Sequence, residues 1–125
     1  MLESLLYPNS IAVIGASSTP GKVGHAILKN LIEGGFEGAI VPVNPKAAEI
    51  LGLKCIPDLK QYTGKIDLSV ISVPSQAVKQ AILDSIAIGV KSIIVITAGF
   101  KETGEAGAQL EHEIVSLKPV KSFVK

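Results

Sequence analysis

Residues near the N-terminus have the types and spacing of a phosphate-binding loop. The segment from Ser10 to Gly24 begins as an apolar run, passes through small and hydroxyl-bearing residues, and continues with apolar residues at helical spacing. In a strand–loop–helix unit of this kind, backbone N–H groups and the helix N-terminus converge on a phosphate. Gly15, Gly21 and Gly24 give the spacing G-x5-G-x2-G, not the G-x-G-x-x-G of the common dinucleotide fingerprint. The loop therefore predicts a nucleotide-like anion that is bound differently from NAD.

The alternative for this loop is a tight turn in which Gly and Pro serve geometry alone. The consecutive hydroxyl-bearing residues from Ser17 to Thr19 favour anion binding over that alternative. Lys22 stands near the start of the predicted helix, where a cation opposes the helix dipole and a bound phosphate would offset its cost. The predicted anion-binding residues are Gly15, Ala16, Ser17, Ser18, Thr19, Pro20, Gly21, Lys22, Val23 and Gly24.

A second loop, formed by Asn44, Pro45 and Lys46, follows the next apolar run. An NAD site carries an Asp or Glu about 20 residues beyond the glycine loop, where the carboxylate holds the ribose hydroxyls. Here that position lacks a carboxylate and has a lysine, which suits a phosphate. A simple turn with a solvated lysine is the alternative interpretation.

Two further segments follow apolar runs and could face a ligand. At Val73 and Pro74, proline could simply end a strand while Ser75 caps the next helix, or the pair could form an apolar lip beside a ligand. Both interpretations can hold together. The polar loop Thr97–Gly104 comes after a buried run, and we expect it to face a ligand or a partner.

The histidines do not build a catalytic centre. His25 lies in the first turns of the predicted helix behind the loop, where a structural or solvated role is favoured over ligand contact. His112 lies between two glutamates on the polar face of a predicted helix, which favours a solvated side chain. The sequence offers no nucleophile with its base, no acid–base pair and no metal-ligand cluster, so we predict no catalytic residue and no metal.

Composition limits the class of protein. The 125 residues predict one domain over residues 1–125, and 47% apolar with 4% aromatic residues suits strands buried on both faces. A net charge of +1 gives no field that would attract nucleic acid or an acidic membrane. All 12 basic residues are lysines, so an anion site must use backbone N–H groups, hydroxyls and lysine rather than guanidinium.

The sequence gives little indication of targeting or of disulfide formation. Cys55 is the single cysteine, which excludes a disulfide within one chain. The N-terminal residues have neither the basic nor the long apolar region of a signal peptide, and no apolar run reaches the roughly 18 residues of a membrane span. We therefore predict a soluble, cytoplasmic protein.

The elements that position these loops alternate between strand and helix patterns. The predicted strands are Ile11–Ile14, Ala39–Val43, Leu68–Val73 and Ser92–Thr97, and the predicted helices are Lys22–Glu33, Ser75–Ile88 and Ala106–Leu117. Such alternation predicts a doubly wound, Rossmann-like parallel sheet in three α/β/α layers, with strand order 3-2-1-4. Three shorter predictions are an extra strand at Lys54–Ile56, a short helix at Pro57–Tyr62 and a fifth strand at Val120–Val124. Ligands of such sheets bind outside the carboxyl ends of the strands, where the loops described above lie.

Five motifs in this order resemble the CoA-binding domain of ADP-forming acyl-CoA (acetyl-CoA) synthetases, which is related to the N-terminal domain of the succinyl-CoA synthetase α subunit. The motifs are Ser10–Ser17, Gly21–Gly24, Val43–Lys46, Asp67–Pro74 and Ala98–Gly104. The resemblance runs from about Leu5 to about Val115.

The resemblance implies that this chain binds coenzyme A as its cofactor. Ser17–Gly21 correspond to the family's loop on the CoA phosphates, Lys46 to its lysine after the second strand, and Ile96, Thr97 and Ala98 to its segment after the fourth. The family's phosphohistidine lies in a following domain, neither histidine here matches its motif, and ATP-grasp segments are absent. A phosphohistidine domain and an ATP-grasp domain or subunit are therefore the implied partners, and we expect no ligase activity from this chain alone. Residues 116–125 depart from the family's fifth strand and Gly-Pro-Asn turn.

Three functions stay open from the sequence. The chain is either the CoA-binding portion of an ADP-forming acid–CoA ligase or a stand-alone CoA-binding sensor, and an NAD(P)-binding domain is disfavoured by the missing carboxylate. The acyl group is not encoded in this chain. We also expect a homo-oligomer, because the sheet edge near Val120–Val124 lacks the family's cover. A monomer whose apolar residues are all internal is the alternative.

Overall fold

The computed structural model describes residues 7–96 in full and the backbone of residues 97, 111–118 and 122–123. In chain order the elements are β1 (Ser10–Ile14), α1 (Val23–Glu33), β2 (Ala39–Val43), β3 (Glu49–Ile50), β4 (Leu53–Lys54), a 3₁₀ turn (Leu59–Gln61), β5 (Leu68–Ile71), α2 (Ser75–Ala87), β6 (Ser92–Thr97), β7 (Glu111–Lys118) and β8 (Ser122–Phe123). The predicted alternation of strands and helices is confirmed through β6. Over the described residues, no helix is long and apolar enough to cross a bilayer.

The main sheet has the order β2-β1-β5-β6-β7-β8, and its first four strands are parallel. β1 is an interior strand and its five residues are all buried, since strands pair with it on both sides. The short hairpin β3–β4 forms a separate two-stranded sheet beside β2.

The two helices cover opposite faces of the sheet. On one face Leu28 of α1 is fully buried in a cluster with Val13 and Val70. On the other face Ala81 of α2 packs in a cluster with Ile71 and Ile93. Because successive strand residues point to opposite faces, one run of β-branched residues contributes side chains to both clusters. The predicted three-layer α/β/α architecture is confirmed.

The predicted strand order is wrong for the four long strands. β5 pairs with β1 instead of lying outside β2, so the order in chain numbering is 2-1-3-4. The physical reason is burial: all four residues of β5 are buried, whereas β2 begins with an exposed Ala39 and suits the edge. An isolated parallel bridge from Val43 to Ile56 takes the outer position instead. Ile56, from the segment predicted as a short extra strand, therefore pairs outside β2. The predicted strand order gave that position to Leu68–Val73.

The predicted helix Ala106–Leu117 is wrong over residues 111–117, and its beginning lies outside the described residues. Glu111–Lys118 form β7, which pairs antiparallel with β6 from Ser92↔Ser116 to Thr97↔Glu111. His112 is therefore on a strand and not on a helix face. Pairing satisfies the backbone N–H and C=O groups along the free edge of β6, a gain that local helical spacing does not reveal.

The remaining predicted elements differ mainly at their ends. β5 ends at Ile71, before Val73, and α1 begins one residue after Lys22. The short helix predicted at Pro57–Tyr62 is the 3₁₀ turn. Of the predicted fifth strand, Ser122–Phe123 form β8, which pairs with β7, and the other residues of that segment lie outside the described part.

Candidate functional site

The loop between β1 and α1 depends on two glycines in direct contact with backbone. Gly15 has φ +97°, and a Cβ there would overlap the carbonyl oxygen of Ser72, which follows β5. A Cβ on Gly24 would overlap the carbonyl oxygen of Gly15. The first turn of α1 therefore packs directly on the end of β1, as a phosphate-binding turn requires.

The N-terminus of α1 is left open to a ligand. Its N-cap residue is Lys22, in extended conformation (φ −84°, ψ 149°), and no side chain caps the helix. The first turn also contains no acidic residue. Among the described residues, no carboxylate or hydroxyl therefore caps the N–H groups at the positive end of the helix dipole.

Hydrogen bonds within the loop hold its shape. The Ser17 hydroxyl accepts from the backbone N–H of Thr19 at 3.0 Å, and the Lys22 N–H donates to the Thr19 carbonyl at 3.2 Å. His25 Nδ1 lies 3.1 Å from the carbonyl oxygen of Ser17 and donates to it as the Nδ1–H tautomer. His25 therefore braces the loop from behind, in line with the structural role that the sequence favours. Ser18 is exposed at the tip of the loop.

Asn44 joins this loop to the second one. Its side-chain Nδ2 donates to the carbonyl oxygen of Ala16 at 2.8 Å. Its Oδ1 accepts from the backbone N–H groups of Lys46 at 2.6 Å and Ala47 at 3.0 Å. The same amide thus shapes the turn that carries Lys46 and fixes that turn against the first loop. Sequence reasoning placed Asn44 in the site but did not find this clamp.

A cleft of about 320 Å³ opens beside the two loops, at the carboxyl ends of the parallel strands. From the predicted site it gathers Gly15, Ala16, Asn44, Pro45 and Val73. The residues that sequence reasoning missed are Ile14, Val43, Pro57, Asp58, Leu59, Ala77, Gln80, Ala81 and Asp84. Ala77, Gln80 and Asp84 share one face of α2 at spacing i, i+3, i+7, which is the sequence signal that could have found them.

One end of the cleft is polar. Asp84 Oδ1 accepts from Gln80 Nε2 at 2.8 Å and lies 3.8 Å from Lys60 Nζ. Asp58 begins the 3₁₀ turn, where its Oδ1 accepts from the Lys60 N–H at 2.9 Å. Two carboxylates therefore stand at the end of the cleft formed by the 3₁₀ turn and α2.

Other predicted site residues lie around the cleft without lining it. Lys46 is exposed on its loop, as are Pro20, Gly21 and Lys22 on theirs. The helix cap predicted at Ser75 is wrong, because Pro74 is the N-cap of α2 and Ser75 is its first residue. Proline has a backbone that suits the position and no side-chain group to donate or accept there.

Only the first two residues of the segment predicted at the end of β6 are described. Ile96 packs against the core cluster on the α1 side. Thr97 is the last residue of β6. Ala98 and the rest of the loop to Gly104 lie outside the described residues, so their predicted roles stay predictions.

Two observations bear on metal and thiol chemistry in the described part of the chain. No group of three or more His, Cys, Asp or Glu side chains in the described part of the chain could hold a metal ion. Cys55 is buried, and desolvation together with the nearby Glu49 raises the pKa of its thiol. The thiol therefore stays protonated, within the cluster on the α1 side of the sheet and away from the cleft. The arrangement is suited to binding.

Comparison with known proteins identifies a domain family for most of the chain. The family model for the CoA binding domain matches residues 9–118. The chain is 41% identical to an ADP-forming acetate–CoA ligase II of Archaeoglobus fulgidus over 93% of its own length and 17% of the ligase's. It is 44% identical to the α subunit of an ADP-forming acetate–CoA ligase I of Pyrococcus furiosus, over 91% of this chain and 26% of the subunit.

A solved structure is similar to this chain in both fold and sequence. The "dinucleotide forming Acetyl-coenzyme A synthetase 1" of Ca. Korarchaeum cryptofilum, in complex with phosphate and ADP, superposes with a TM-score of 0.76 at 50% identity. The match covers 83% of this chain and 22% of that one. The chain thus spans about a fifth of the length of these three relatives. The chain has a Rossmann-like sheet and belongs to the CoA-binding domain family.

Proposed function

We propose that this chain binds coenzyme A at the carboxyl edge of its parallel sheet, as the CoA-binding part of an ADP-forming acetate–CoA ligase. The observation that carries the proposal is the Asn44 clamp. It joins the start of the loop that leads to an uncapped helix N-terminus with the turn that carries Lys46, beside the cleft. Both elements are suited to phosphate, and coenzyme A carries a pyrophosphate and a separate 3′-phosphate.

The residues present fit the cofactor. We assign the pyrophosphate to the backbone N–H groups at the start of α1, because the positive end of this helix has no side-chain cap. Lys46 is exposed on the turn after β2, where the ribose of a nucleotide rests, and we assign its ammonium group to the 3′-phosphate. The absence of a carboxylate at that turn removes the group that would hold NAD ribose and repel a phosphate.

The role of this chain in the reaction is to bind and orient. Coenzyme A supplies the thiol that attacks an activated acyl group, and the chain's residues anchor the nucleotide end of the molecule. Phosphoryl transfer and acyl activation fall to further domains or subunits, consistent with relatives that are several times longer. The binding surface for those partners and the acyl specificity are not part of this proposal.

Competition experiments test the assignment of the phosphates. Calorimetric titration of the chain with coenzyme A should give saturable binding that adenosine 3′,5′-bisphosphate displaces and free pantetheine does not. Displacement by pantetheine alone, with no effect of the bisphosphate, would show that the phosphate loops do not hold the ligand.

A further inference from the structure

His25 ties the first turn of α1 to the start of the loop that precedes the helix. It is the third residue of α1, and its Nδ1 lies 3.1 Å from the carbonyl oxygen of Ser17, eight residues earlier in the chain. A carbonyl oxygen can only accept a hydrogen bond, so the proton of the neutral ring is on Nδ1 and Nε2 is the unprotonated nitrogen. The contact therefore fixes which nitrogen can take up a second proton.

The second nitrogen of the ring is available for that proton. Within residues 7–96, Nε2 makes no hydrogen bond or ion pair, and the ring is half-buried. Protonation of Nε2 leaves the Nδ1–H group in place as the donor to Ser17, because both nitrogens of a charged imidazole carry hydrogen. The ring can thus gain a positive charge without releasing the loop.

The surroundings of α1 offer this charge little negative charge of their own. The strands that share a core cluster with α1, which are β1, β5 and β6, contain no charged residue, and the first turn of α1 contains no acidic residue. The charged residues of α1, of the turn after β2 and of the hairpin β3–β4 are all exposed, and they are Lys22, Lys29, Glu33, Lys46, Glu49 and Lys54. None of these side chains forms an ion pair with His25. Among the described residues, no carboxylate therefore neutralises a proton on the ring, and a bound ligand would be the source of that negative charge.

Coenzyme A brings negative charge to the first turn of α1. Its pyrophosphate carries two negative charges and is assigned above to the N–H groups at the start of this helix, where His25 is the third residue. A negative charge within ~4–6 Å favours the charged form of an imidazole, and histidine is the side chain that ordinarily changes its charge near neutral pH. Binding of the phosphates and uptake of a proton by the ring should therefore favour each other.

We propose that His25 is a positioning residue for the pyrophosphate of coenzyme A, in which Nδ1–H holds the Ser17 end of the loop and Nε2 takes up a proton as the pyrophosphate binds. This inference rests on the proposed binding of coenzyme A. Binding should become tighter as the pH falls, because a complex that takes up a proton is favoured by a higher proton concentration.

Dephospho-CoA is the ligand for the test. Its pyrophosphate does not titrate near neutral pH, whereas the 3′-phosphate of coenzyme A is a monoester that titrates at about pH 6. Calorimetric titrations at about pH 7 in two buffers of different ionisation enthalpy, HEPES and imidazole, should show that the unmodified chain takes up a fraction of a proton on binding. Its affinity for dephospho-CoA should fall about three- to tenfold between about pH 6 and about pH 8.

His25→Asn separates the two roles of the ring, because an asparagine amide can donate from near the Nδ1 position and does not titrate. This variant should lose both the proton uptake and the pH dependence of binding. At about pH 8 it should still bind more tightly than His25→Leu, which also lacks the donor to Ser17. His112→Asn removes the other histidine of the chain and is the matched control, which should keep the proton uptake and the pH dependence.

The outcomes separate this inference from the proposed function. Binding of dephospho-CoA to the unmodified chain without proton uptake, or proton uptake that persists in His25→Asn, would overturn the inference while leaving CoA binding in place. Equal affinities of His25→Asn and His25→Leu at about pH 8 would overturn the role of Nδ1. Failure of the unmodified chain to bind coenzyme A at all would instead overturn the proposed function.

Discussion

The side-chain amide of Asn44 donates a 2.8 Å hydrogen bond to the carbonyl oxygen of Ala16, which joins the turn after β2 to the loop after β1. The two loops are 28 residues apart in the chain. The same side chain accepts two backbone N–H groups of its own turn. Through one residue, the position of Lys46 depends on the position of the loop after β1.

Asn44→Asp should break this link and leave the turn intact. Aspartate keeps an oxygen for the Lys46 and Ala47 N–H groups but presents a second oxygen to the Ala16 carbonyl. Replacing the donor by an acceptor should lower the free energy of unfolding by roughly 1–3 kcal/mol and weaken CoA binding. Denaturant unfolding and calorimetry measure the two effects. Asn30→Asp, on the exposed surface of α1, is the control, and equal behaviour of the two variants would show that the clamp is unimportant.

Lys46→Ala should weaken the binding of coenzyme A more than that of dephospho-CoA. The lysine is expected to contact the 3′-phosphate, and a partly desolvated contact of this kind is worth about 1–2 kcal/mol. Lys29→Ala removes an equally exposed charge from α1 and should change neither affinity. If Lys46→Ala weakens both ligands to the same degree, the lysine serves the pyrophosphate or lies outside the site.

Gly24→Ala should disturb both the fold and the site. The added methyl group would overlap the Gly15 carbonyl, and Gly15 is itself confined by the Ser72 carbonyl, so α1 must shift. We expect a loss of about 1–3 kcal/mol in the free energy of unfolding together with a loss of CoA binding. Gly35→Ala is the matched variant: its φ is +82° but the space around a Cβ is open. It should cost about 1 kcal/mol of backbone strain and leave CoA affinity unchanged, and similar affinities in the two variants would contradict the packing argument.

The stability of the domain should fall at alkaline pH because of Cys55. Burial and Glu49 raise the pKa of its thiol above the ordinary value of 9.0, so the unfolded chain loses this proton before the folded one does. The contribution is constant below the unfolded pKa and is lost as the pH rises past it. Denaturant unfolding between about pH 8 and about pH 10 should therefore show a steeper decline for the natural chain than for Cys55→Ala. Parallel pH profiles of the two proteins would refute this assignment.

Local patterns predicted the layers of the fold, and long-range pairing explains what they missed. The strands β1, β2 and β6 follow from short β-branched runs bounded by turn residues, and α1 and α2 follow from apolar residues at helical spacing. The strand order could not be predicted from local patterns. All the strand runs are similarly apolar, and nothing in their sequences indicates which run lies in the interior of the sheet. β7 was missed for a related reason. Leu110, Ile114 and Leu117 fit helical spacing. Pairing with β6 instead provides hydrogen-bond partners for the backbone N–H and C=O groups along its edge.

The residues of the candidate site also differ in how far local sequence patterns reveal them. The glycine loop and the Asn44 turn were selected from local chemistry and spacing, and the structure brings Gly15, Ala16 and Asn44 to the cleft. Lys46 does not line it. The cleft was not, because Asp58 comes from the 3₁₀ turn and Asp84 from the middle of α2, and only the folded sheet brings both to one cavity. The donor–acceptor geometry of Asn44 likewise became visible only when the two loops were placed together.

Parallel calorimetric titrations of the chain with coenzyme A and with NAD test the central claim most directly. The lysine-bearing turn, the missing carboxylate after β2 and the uncapped α1 predict that coenzyme A binds and that NAD does not bind measurably under the same conditions. Tighter binding of NAD than of coenzyme A would contradict the account.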